Sequence, residues 1–342
     1  IMTDIQKRKE DHINLALDRS HQSTAGNNFD EICFEPSAIP EIDLNSVNIE
    51  CTFLGRQCSA PIIIGAMTGG CNHSDIINKN LAIAAEDCRV PMALGSQRAS
   101  LELGLPQKIR SWAPNAVLLG NLGGTQVAYG GIDLAKKAID SIEADGLMIH
   151  LNPLQELSQP NGDRNWCGVL NAIEKCSRHL DVPILAKEVG VGIGPTTAKD
   201  LLSAGVAWLE TAGFGGTNWA TIELARNDSH KEREIMQPFI TWGMSTCEVL
   251  FELSKFDAPL NLIASGGVRH GLDVARCIRL GAKMTALAQP FLSPAIESSS
   301  AVIEKIDIVS EQLKRTMFLT GKNSLEKLKE ANLLRSPRLK QL

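Results

Sequence analysis

Aromatic residues are scarce in this chain of 342 residues, at 4% with a single tyrosine, and long apolar segments are missing. The longest apolar run covers residues 60–67, far short of the ~18 residues that a membrane-spanning helix needs. The first ten residues are polar and lack the apolar core of a secretory signal peptide. These absences predict a cytoplasmic protein that neither enters nor binds a membrane.

An excess of positive charge is also missing, since the formal net charge is −5. General nucleic-acid binding requires a basic surface, so we expect no nucleic-acid partner. The nine cysteines contain no CxxC pair and their number is odd. We therefore expect reduced, mostly buried thiols rather than a disulfide framework or a zinc site. Hydrophobic residues make up 44% of the chain, which is enough for a folded core.

Eight short apolar runs follow residue 58, and each leads into a polar or glycine-rich stretch and then an amphipathic segment. They cover residues 62–66, 91–94, 116–120, 146–150, 183–187, 207–211, 260–264 and 284–288. Buried strands that alternate with helices are typical of a parallel sheet, and eight such units predict an α/β fold, the (β/α)8 TIM barrel. A doubly wound open sheet is the alternative. We expect residues 1–58 to form an N-terminal arm on the barrel mouth and residues 59–342 to form the barrel.

A glycine-rich loop follows the seventh run, where Ser265-Gly-Gly267 precedes a helical segment. Glycines there let backbone N–H groups approach a phosphate, and barrels commonly bind phosphate after strands seven and eight. We predict a phosphate site in this loop. A tight turn without a ligand is the alternative.

Two further strand ends carry groups suited to chemistry. Lys187 ends the fifth run, where an inward lysine is costly unless it meets an anion. It is a candidate Schiff-base nucleophile or a counter-charge for a cofactor. His150, Asn152, Gln155 and Glu156 close the fourth run and offer hydrogen bonds and one carboxylate for a hard cation such as Mg2+. Each of these side chains, taken singly, also has a structural interpretation.

Basic residues occur in two other motifs. Lys7-Arg-Lys9 is either a solvated helix face or an arm that folds over the mouth and binds an anionic substrate. Gly95-Ser-Gln-Arg98 adds hydrogen-bond donors suited to phosphate. Residues 214–246 are long for a strand-to-helix connection, which favours a lid over the mouth.

Taken together and in order, the motifs resemble the type 2 isopentenyl-diphosphate isomerases, which are flavin-dependent. The resemblance extends from about residue 7 to about residue 292. The N-terminal motif and the fourth-strand motif are the most specific, because flavin barrels at large do not share them. The motifs are Arg8-Lys-Glu-Asp-His-Ile13, Ala66-Met-Thr-Gly-Gly70, Gly95-Ser-Gln-Arg98, Asn121-Leu-Gly123, His150-Leu-Asn-Pro-Leu-Gln-Glu156, Gln159-Pro-Asn-Gly-Asp-Arg164, Lys187-Glu-Val-Gly190, Gly215-Gly-Thr217 and Ser265-Gly-Gly267.

The resemblance implies a barrel that binds flavin mononucleotide (FMN), requires Mg2+, and has its flavin reduced by NADPH. It implies interconversion of isopentenyl and dimethylallyl diphosphate, so that the partner is a small prenyl diphosphate, and a homo-oligomer is expected. Implied FMN contacts are Ala66, Met67, Thr68, Ser96, Asn121, Lys187, Thr217, Gly266, Gly267, Arg269, Ala288 and Gln289. Implied substrate contacts are Arg8, Lys9, Ser96, Gln97, Arg98, Asn152 and Gln155. Glu156 is the implied Mg2+ ligand, and Gln155 and His150 are the catalytic candidates.

The chain departs from the family at Trp166, where phenylalanine is usual, and at Glu210, where aspartate is usual. Other barrel enzymes are alternative interpretations, but this sequence lacks residues that two of them need. A 2-hydroxy-acid oxidase needs a histidine base and a tyrosine near its substrate, but Tyr129 is the only tyrosine and residues 213–217 contain no histidine. An IMP-dehydrogenase-like enzyme needs a cysteine in the sixth loop, and residues 177–246 contain none. A barrel that binds a phosphorylated ligand without catalysis is the third alternative.

Overall fold

Ten strands and fifteen α-helices form the part of the chain that the computed structural model describes, residues 4–23, 26–67 and 72–334. The strands are β1 Cys51–Phe53, β2 Arg56–Cys58, β3 Ile62–Ile64, β4 Met92–Ala93, β5 Leu118–Gly123, β6 Gly146–His150, β7 Ile184–Lys187, β8 Trp208–Glu210, β9 Leu262–Ala264 and β10 Met284–Leu287. The helices are α1 Asp4–Leu17, α2 Asn72–Cys88, α3 Arg98–Glu102, α4 Ile109–Trp112, α5 Gly124–Asp140, α6 Pro153–Ser158, α7 Val169–His179, α8 Pro195–Ser203, α9 Trp219–Ala225, α10 His230–Met236, α11 Thr246–Leu253, α12 Gly271–Arg279, α13 Gln289–Glu297, α14 Ser299–Leu319 and α15 Leu325–Leu328.

Strands β3–β10 close into a single parallel barrel, in the order β10-β3-β4-β5-β6-β7-β8-β9. Each of the eight predicted apolar runs overlaps one of these strands, and helices lie between consecutive strands. The predicted (β/α)8 barrel is therefore confirmed, and the open-sheet alternative is wrong.

Side chains along each strand alternate between the barrel interior and the layer of surrounding helices. Ile63, Leu119 and Met148 point inward and pack against one another in the interior. Ile62 and Ile64 point outward and pack against the surrounding helices. Because both faces of each strand are buried, the strands are continuously apolar in sequence instead of alternating with polar residues.

The outer layer includes α14, the longest helix. Ser298 Oγ accepts a hydrogen bond from the Ala301 N–H at 3.1 Å and so satisfies one of the free donors at the start of the helix. Buried apolar residues recur every three or four positions, as in Val302, Ile306, Val309 and Leu313. This face packs against α2 and α12. In the described part of the chain, no helix has the length and apolar character that crossing a membrane demands.

A hairpin of β1 and β2 covers the amino-terminal end of the barrel. Phe53 packs edge-on against Trp208, the first residue of β8, with ring centroids 4.9 Å apart. Arg56 Nη2 pairs with Asp145 Oδ1, just before β6, at 2.9 Å. Helix α1 lies at the opposite end, where Arg8 lines a cavity. The boundary at residue 58 between an arm and the barrel stays a prediction.

Candidate active site

A ring of eight residues surrounds the mouth of the barrel. Because side chains alternate along a strand, the residue two positions beyond an inward-facing one also points inward. The residues so placed line one cavity: Gly65, Gly95, Asn121, His150, Lys187, Glu210, Ser265 and Ala288. The three small residues follow the adjacent strands β10, β3 and β4, whereas the five polar ones lie in or next to the carboxyl ends of β5–β9. The mouth thus has one arc of open space and one arc of polar groups.

The cavity contains about 1720 Å³ of empty space, including space open to solvent. The structure brings most of the predicted site residues together there: Arg8, Ala66, Met67, Ser96, Arg98, Asn121, His150, Asn152, Gln155, Glu156, Lys187, Thr217, Gly266, Gly267, Arg269, Ala288 and Gln289. Thr68 and the side chain of Lys9 lie outside the described residues.

Gln97 is the predicted substrate contact that the structure does not bring to the cavity. Its side chain is fully buried behind the mouth. Its amide nitrogen donates to the Ala138 carbonyl and to Gln107 Oε1, both at 2.9 Å, and its oxygen accepts from the Asn121 N–H at 2.8 Å. These bonds fix β5 and so support Asn121 from behind. Because its polar groups are used in this way, Gln97 has no access to a ligand.

Lys187 gives the mouth a buried positive charge. Its Nζ donates to the Glu188 carbonyl at 2.7 Å and lies 4.0 Å from Glu210 Oε1, and its side chain is 9% exposed. An ammonium has three donors, so this single hydrogen bond leaves donors for a ligand. A flat ring system with carbonyl oxygens on one edge fits a mouth that has an open arc and a cation beside it. The residues present therefore fit a flavin.

The loop after β9 has the geometry of an anion site. Gly266 and Gly267 have φ values of 98° and 76°. A Cβ at Gly266 would lie 2.1 Å from the Gly213 carbonyl oxygen, so only glycine fits there. Arg269 reaches back to bond the Gly267 carbonyl at 3.2 Å and the Gly215 carbonyl at 2.6 Å. The start of α13 lines the same end of the cavity, which fits the phosphate group of a flavin nucleotide.

The end of β6 and the start of α6 place four polar side chains on the cavity. Asn121 Nδ2 donates to the Leu94 carbonyl at 2.8 Å, so its oxygen faces His150 Nδ1 at 2.9 Å and that nitrogen carries the proton. Asn152 Nδ2 donates to Gln155 Oε1 at 3.1 Å and to Glu156 Oε1 at 3.0 Å. The one-turn helix α6 thus holds these groups in a fixed arrangement.

Glu156 presents the carboxylate that the sequence predicts as a metal ligand. Its Oε2 accepts the Asp163 N–H at 2.7 Å, while Oε1 accepts from Asn152. Each oxygen retains a lone pair, and the residue lines the cavity at 8% exposure. Mg2+ is commonly held by one or two carboxylates together with substrate phosphates and waters. A single carboxylate here fits an Mg2+ ion that an anionic substrate helps to hold.

Glu223 on α9 links the N-terminal helix to the catalytic candidates, and sequence reasoning missed it. Its fully buried carboxylate accepts from Gln155 Nε2 at 3.1 Å and lies 2.8 Å from both His12 Nε2 and Arg226 Nη1. Oriented by its neighbours, the Gln159 amide donates to Glu223 at 3.2 Å and accepts from Arg8 at 3.0 Å. One carboxylate therefore orients residues from three helices around the cavity.

The environment of Glu223 keeps it ionised. Burial raises its pKa, but the hydrogen bond and charge of His12, the hydrogen bond of Gln155 and the charge of Arg226 outweigh burial, so the pKa is lowered. Glu223 lies between Ile222 and Leu224 in the segment predicted as a lid, which contains α9 and α10. A glutamate among apolar residues on a short helix was the signal in the sequence that pointed to a buried role.

Glu188 forms a second buried carboxylate beside Lys187. Its Oε2 accepts three successive backbone N–H groups, from Val189 at 2.6 Å and from Gly190 and Val191 at 2.7 Å. Burial raises the pKa of Glu188 to about 7, against the opposing effects of these bonds and of Lys187. The carboxyl group holds the loop that follows β7 in the shape that lines the cavity.

Glu188→Gln should become more stable relative to the wild type as the pH rises. In the unfolded wild type this carboxyl group ionises near pH 4.5, the ordinary pKa of glutamate, whereas the folded state keeps the proton until about pH 7. Wild-type stability therefore falls across that window, by roughly 3 kcal/mol, and stays lower above it, while glutamine does not titrate. Midpoint temperatures of both proteins between pH 4.5 and 8 measure this. A constant difference across the range would contradict it.

Comparison with known proteins shows the family and supports the fold. Residues 169–335 match the family of FMN-dependent dehydrogenases. Curated relatives named isopentenyl-diphosphate delta-isomerase match nearly the whole chain. The chain is 43% identical to the one from Pseudescherichia vulneris over 96% of both chains. It is 40% identical to the one from Halobacterium salinarum over 96% of this chain and 93% of that one.

Solved structures of flavin enzymes share the fold at low sequence identity. A Pediococcus acidilactici protein described as a lactate oxidase superposes with a TM-score of 0.69 at 16% identity, over 97% of this chain and 93% of that one. A mandelate oxidase mutant bearing a C4a-OH-FMN adduct superposes with a TM-score of 0.66 at 17% identity, over 98% and 99% of the two chains. At such identities the likeness concerns the barrel alone.

Proposed function

Because the chain belongs to the isopentenyl-diphosphate delta-isomerase family, we propose that it interconverts isopentenyl and dimethylallyl diphosphate in isoprenoid biosynthesis. The reaction is a 1,3-proton shift assisted by reduced FMN. This membership confirms the resemblance carried by the sequence motifs. The observation that carries the proposal is that one cavity combines a buried lysine beside an open arc, a glycine-rich anion loop and an arginine from the N-terminal helix.

We assign the FMN site to the open arc and the adjoining strand ends. Ala66, Met67, Ser96, Asn121 and Thr217 surround the position of the ring system, with Thr68 retained on the resemblance. Gly266, Gly267, Arg269, Ala288 and Gln289 surround the position of the phosphate. When bound and reduced, FMN supplies a proton donor and acceptor for an unactivated alkene, which ordinary side chains protonate poorly. Lys187 favours the negatively charged reduced ring, because a cation acts strongly in a site shielded from water.

The substrate diphosphate is assigned to the side of the cavity under α1. Arg8 Nε is buried there and has no hydrogen-bond partner among the described residues. Arg98 lines the same side and pairs with Glu102 at 2.8 Å. Ser96, Asn152 and Gln155 add neutral donors, and Lys9 is included on the resemblance. Binding energy from the diphosphate fixes the alkene where the proton transfer occurs.

The two catalytic candidates have different roles in this assignment. Gln155 cannot titrate, so it orients the substrate and is itself held by Glu223. His150 offers an imidazole ring, and its hydrogen bond to Asn121 fixes the plane of that ring at the cavity wall. Helices α1 and α9 line the mouth, and their cover would keep water from a cationic intermediate, if one forms.

The cofactor requirements beyond FMN complete the proposal. Glu156 would hold Mg2+ together with the diphosphate oxygens, for the reasons of charge and ligand number given above. NADPH would supply the two electrons that reduce FMN, and the isomerisation itself would consume none. We also propose a homo-oligomer in a reducing compartment such as the cytoplasm. The eight cysteines in the described part of the chain are free, which supports the second point.

Arg8→Ala should raise the KM for isopentenyl diphosphate about 10-fold or more and change kcat less. The physical reason is the loss of a charge-assisted hydrogen bond to the diphosphate, which contributes about 1.5–3 kcal/mol. Steady-state kinetics with reduced FMN and Mg2+ measure it. Arg178→Ala is the control, since Arg178 lies on α7 with a 70% exposed side chain. An unchanged KM would indicate that Lys7-Arg-Lys9 is a solvated helix face and does not bind the substrate.

The decisive experiment is turnover of isopentenyl diphosphate by the purified protein with FMN and Mg2+, with and without NADPH or dithionite. We expect dimethylallyl diphosphate only when the flavin is reduced, without stoichiometric consumption of the reductant. A yellow protein without isomerase activity would support flavin binding by the barrel and contradict the proposed isomerase activity. A 2-hydroxy-acid oxidase gains no support from the site, because Tyr129 is 67% exposed and does not line the cavity.

A further inference from the structure

Glu210 is a buried carboxylate on the cavity that the assignments above leave without a role. It ends β8 and lies beside Lys187 of β7 in the strand register. Its Oε1 accepts the Ser265 hydroxyl at 2.8 Å and lies 4.0 Å from Lys187 Nζ. Its Oε2 is buried and has no hydrogen-bond partner in the described part of the chain. The residue is 4% exposed and lines the cavity.

These contacts fix where the carboxylate lies. Ser265 follows β9 and its hydroxyl accepts the Ala212 N–H at 3.2 Å, so the hydroxyl that binds Glu210 is also held by the backbone just after β8. The carboxylate cannot rotate away from Lys187 without losing the Ser265 bond. A buried carboxylate oxygen without a partner is costly, which indicates a function other than stability.

We propose that Glu210 is a positioning residue that holds Lys187 and offsets its positive charge, and thereby sets how strongly the site favours reduced over oxidised FMN. This inference rests on the flavin function proposed above. Oxidised FMN has a neutral ring. Uptake of two electrons from a reductant and one proton from solvent gives the reduced ring a negative charge, and a second proton restores neutrality.

The charges of the pair predict the direction of each change. A lysine ammonium favours the anionic ring, and a carboxylate next to it opposes that effect, because charges act strongly in a site shielded from water. Glu210→Gln keeps an oxygen for Ser265 but removes the charge, so Lys187 is no longer offset. Lys187→Gln leaves the Glu210 carboxylate without its neighbouring positive charge, so this variant should favour oxidised FMN.

Reductive titration of the holoenzyme against a reference dye tests the proposal at pH 7. Glu210→Gln is expected to shift the equilibrium constant for flavin reduction about tenfold towards the reduced state, or about 30 mV for two electrons. Glu210→Asp, which keeps the charge, should remain within about threefold of the wild type. In Lys187→Gln the equilibrium constant should shift towards the oxidised state. In the Lys187→Gln background, Glu210→Gln should still shift the constant towards the reduced state, because each charge acts on the ring, and any loss of the shift there measures the part that depends on holding Lys187 in place.

The proposal is overturned if Glu210→Gln binds FMN and leaves the potential unchanged, or if it shifts the equilibrium towards oxidised FMN. If Glu210→Gln does not retain FMN, the comparison of Glu210→Asp with Lys187→Gln decides. Equal shifts of the equilibrium constant for flavin reduction in these two variants would overturn the proposal. A wild type that binds no FMN would reject the flavin function. A wild type that binds FMN without isomerising would reject the isomerase alone and leave the potentials interpretable.

Discussion

Glu223→Gln is expected to lower kcat for isomerisation about 100-fold while FMN stays bound. The carboxylate orients Gln155 and, through Gln159, Arg8, and none of its own atoms lines the cavity. An amide cannot accept from all of the donors that surround it, so at least one of the oriented side chains must turn away. Misplacement of a reacting group by about 1 Å can cost about 100-fold in rate.

The measurements separate this effect from simple unfolding. Flavin absorbance and the midpoint temperature should show a folded holoenzyme, and kcat should fall by a larger factor than KM rises. Glu234→Gln is the matched control, because Glu234 lies on the neighbouring α10 with a 73% exposed side chain. A kcat within twofold of the wild type would show that the network around Glu223 is not needed for the reaction.

Glu156→Gln is expected to raise the Mg2+ concentration for half-maximal activity about 100-fold and to leave FMN binding unchanged. Glutamine retains the size of the side chain and an oxygen for one of the two hydrogen bonds, from Asn152 or from Asp163, while the other donor meets the amide nitrogen. It removes the negative charge that a hard cation requires from its ligands. The variant therefore keeps the packing and changes the charge and one hydrogen bond.

Activity as a function of Mg2+ concentration measures the effect, at saturating substrate and with reduced FMN. Glu174→Gln serves as the control, since Glu174 pairs with Arg178 on the outer surface of α7. If Glu156→Gln responds to Mg2+ as the wild type does, Glu156 is not a ligand. The metal would then be held by the substrate alone.

The barrel was predictable because each of its strands is buried on both faces. Ile62, Ile63 and Ile64 are all inaccessible, and such runs stand out in a sequence from the amphipathic helices between them. The polar mouth was predictable for a related reason. A residue such as Lys187 or His150 at the end of an apolar run has to emerge at the carboxyl ends of the strands.

Residues whose role depends on contacts between distant segments were not predictable in the same way. Gln97 occurs in a motif with Ser96 and Arg98, and the sequence gives no sign that its side chain turns behind the mouth while its neighbours face it. His12 and Glu223 meet across 211 positions of sequence. Such pairings depend on how helices pack around the barrel, which local patterns do not encode.

The division of the mouth into two arcs bears on how this barrel could be redesigned. Gly65, Gly95 and Ala288 supply volume and no polar side chains, and they lie on three contiguous strands. Larger side chains there would fill the space assigned to the flavin, and a Cβ at Gly65 would lie 3.2 Å from the Leu287 carbonyl. Substitutions on the opposite arc would exchange polar groups and leave that space open. Retention of the cofactor and the choice of polar groups around it are therefore controlled from opposite sides of the mouth.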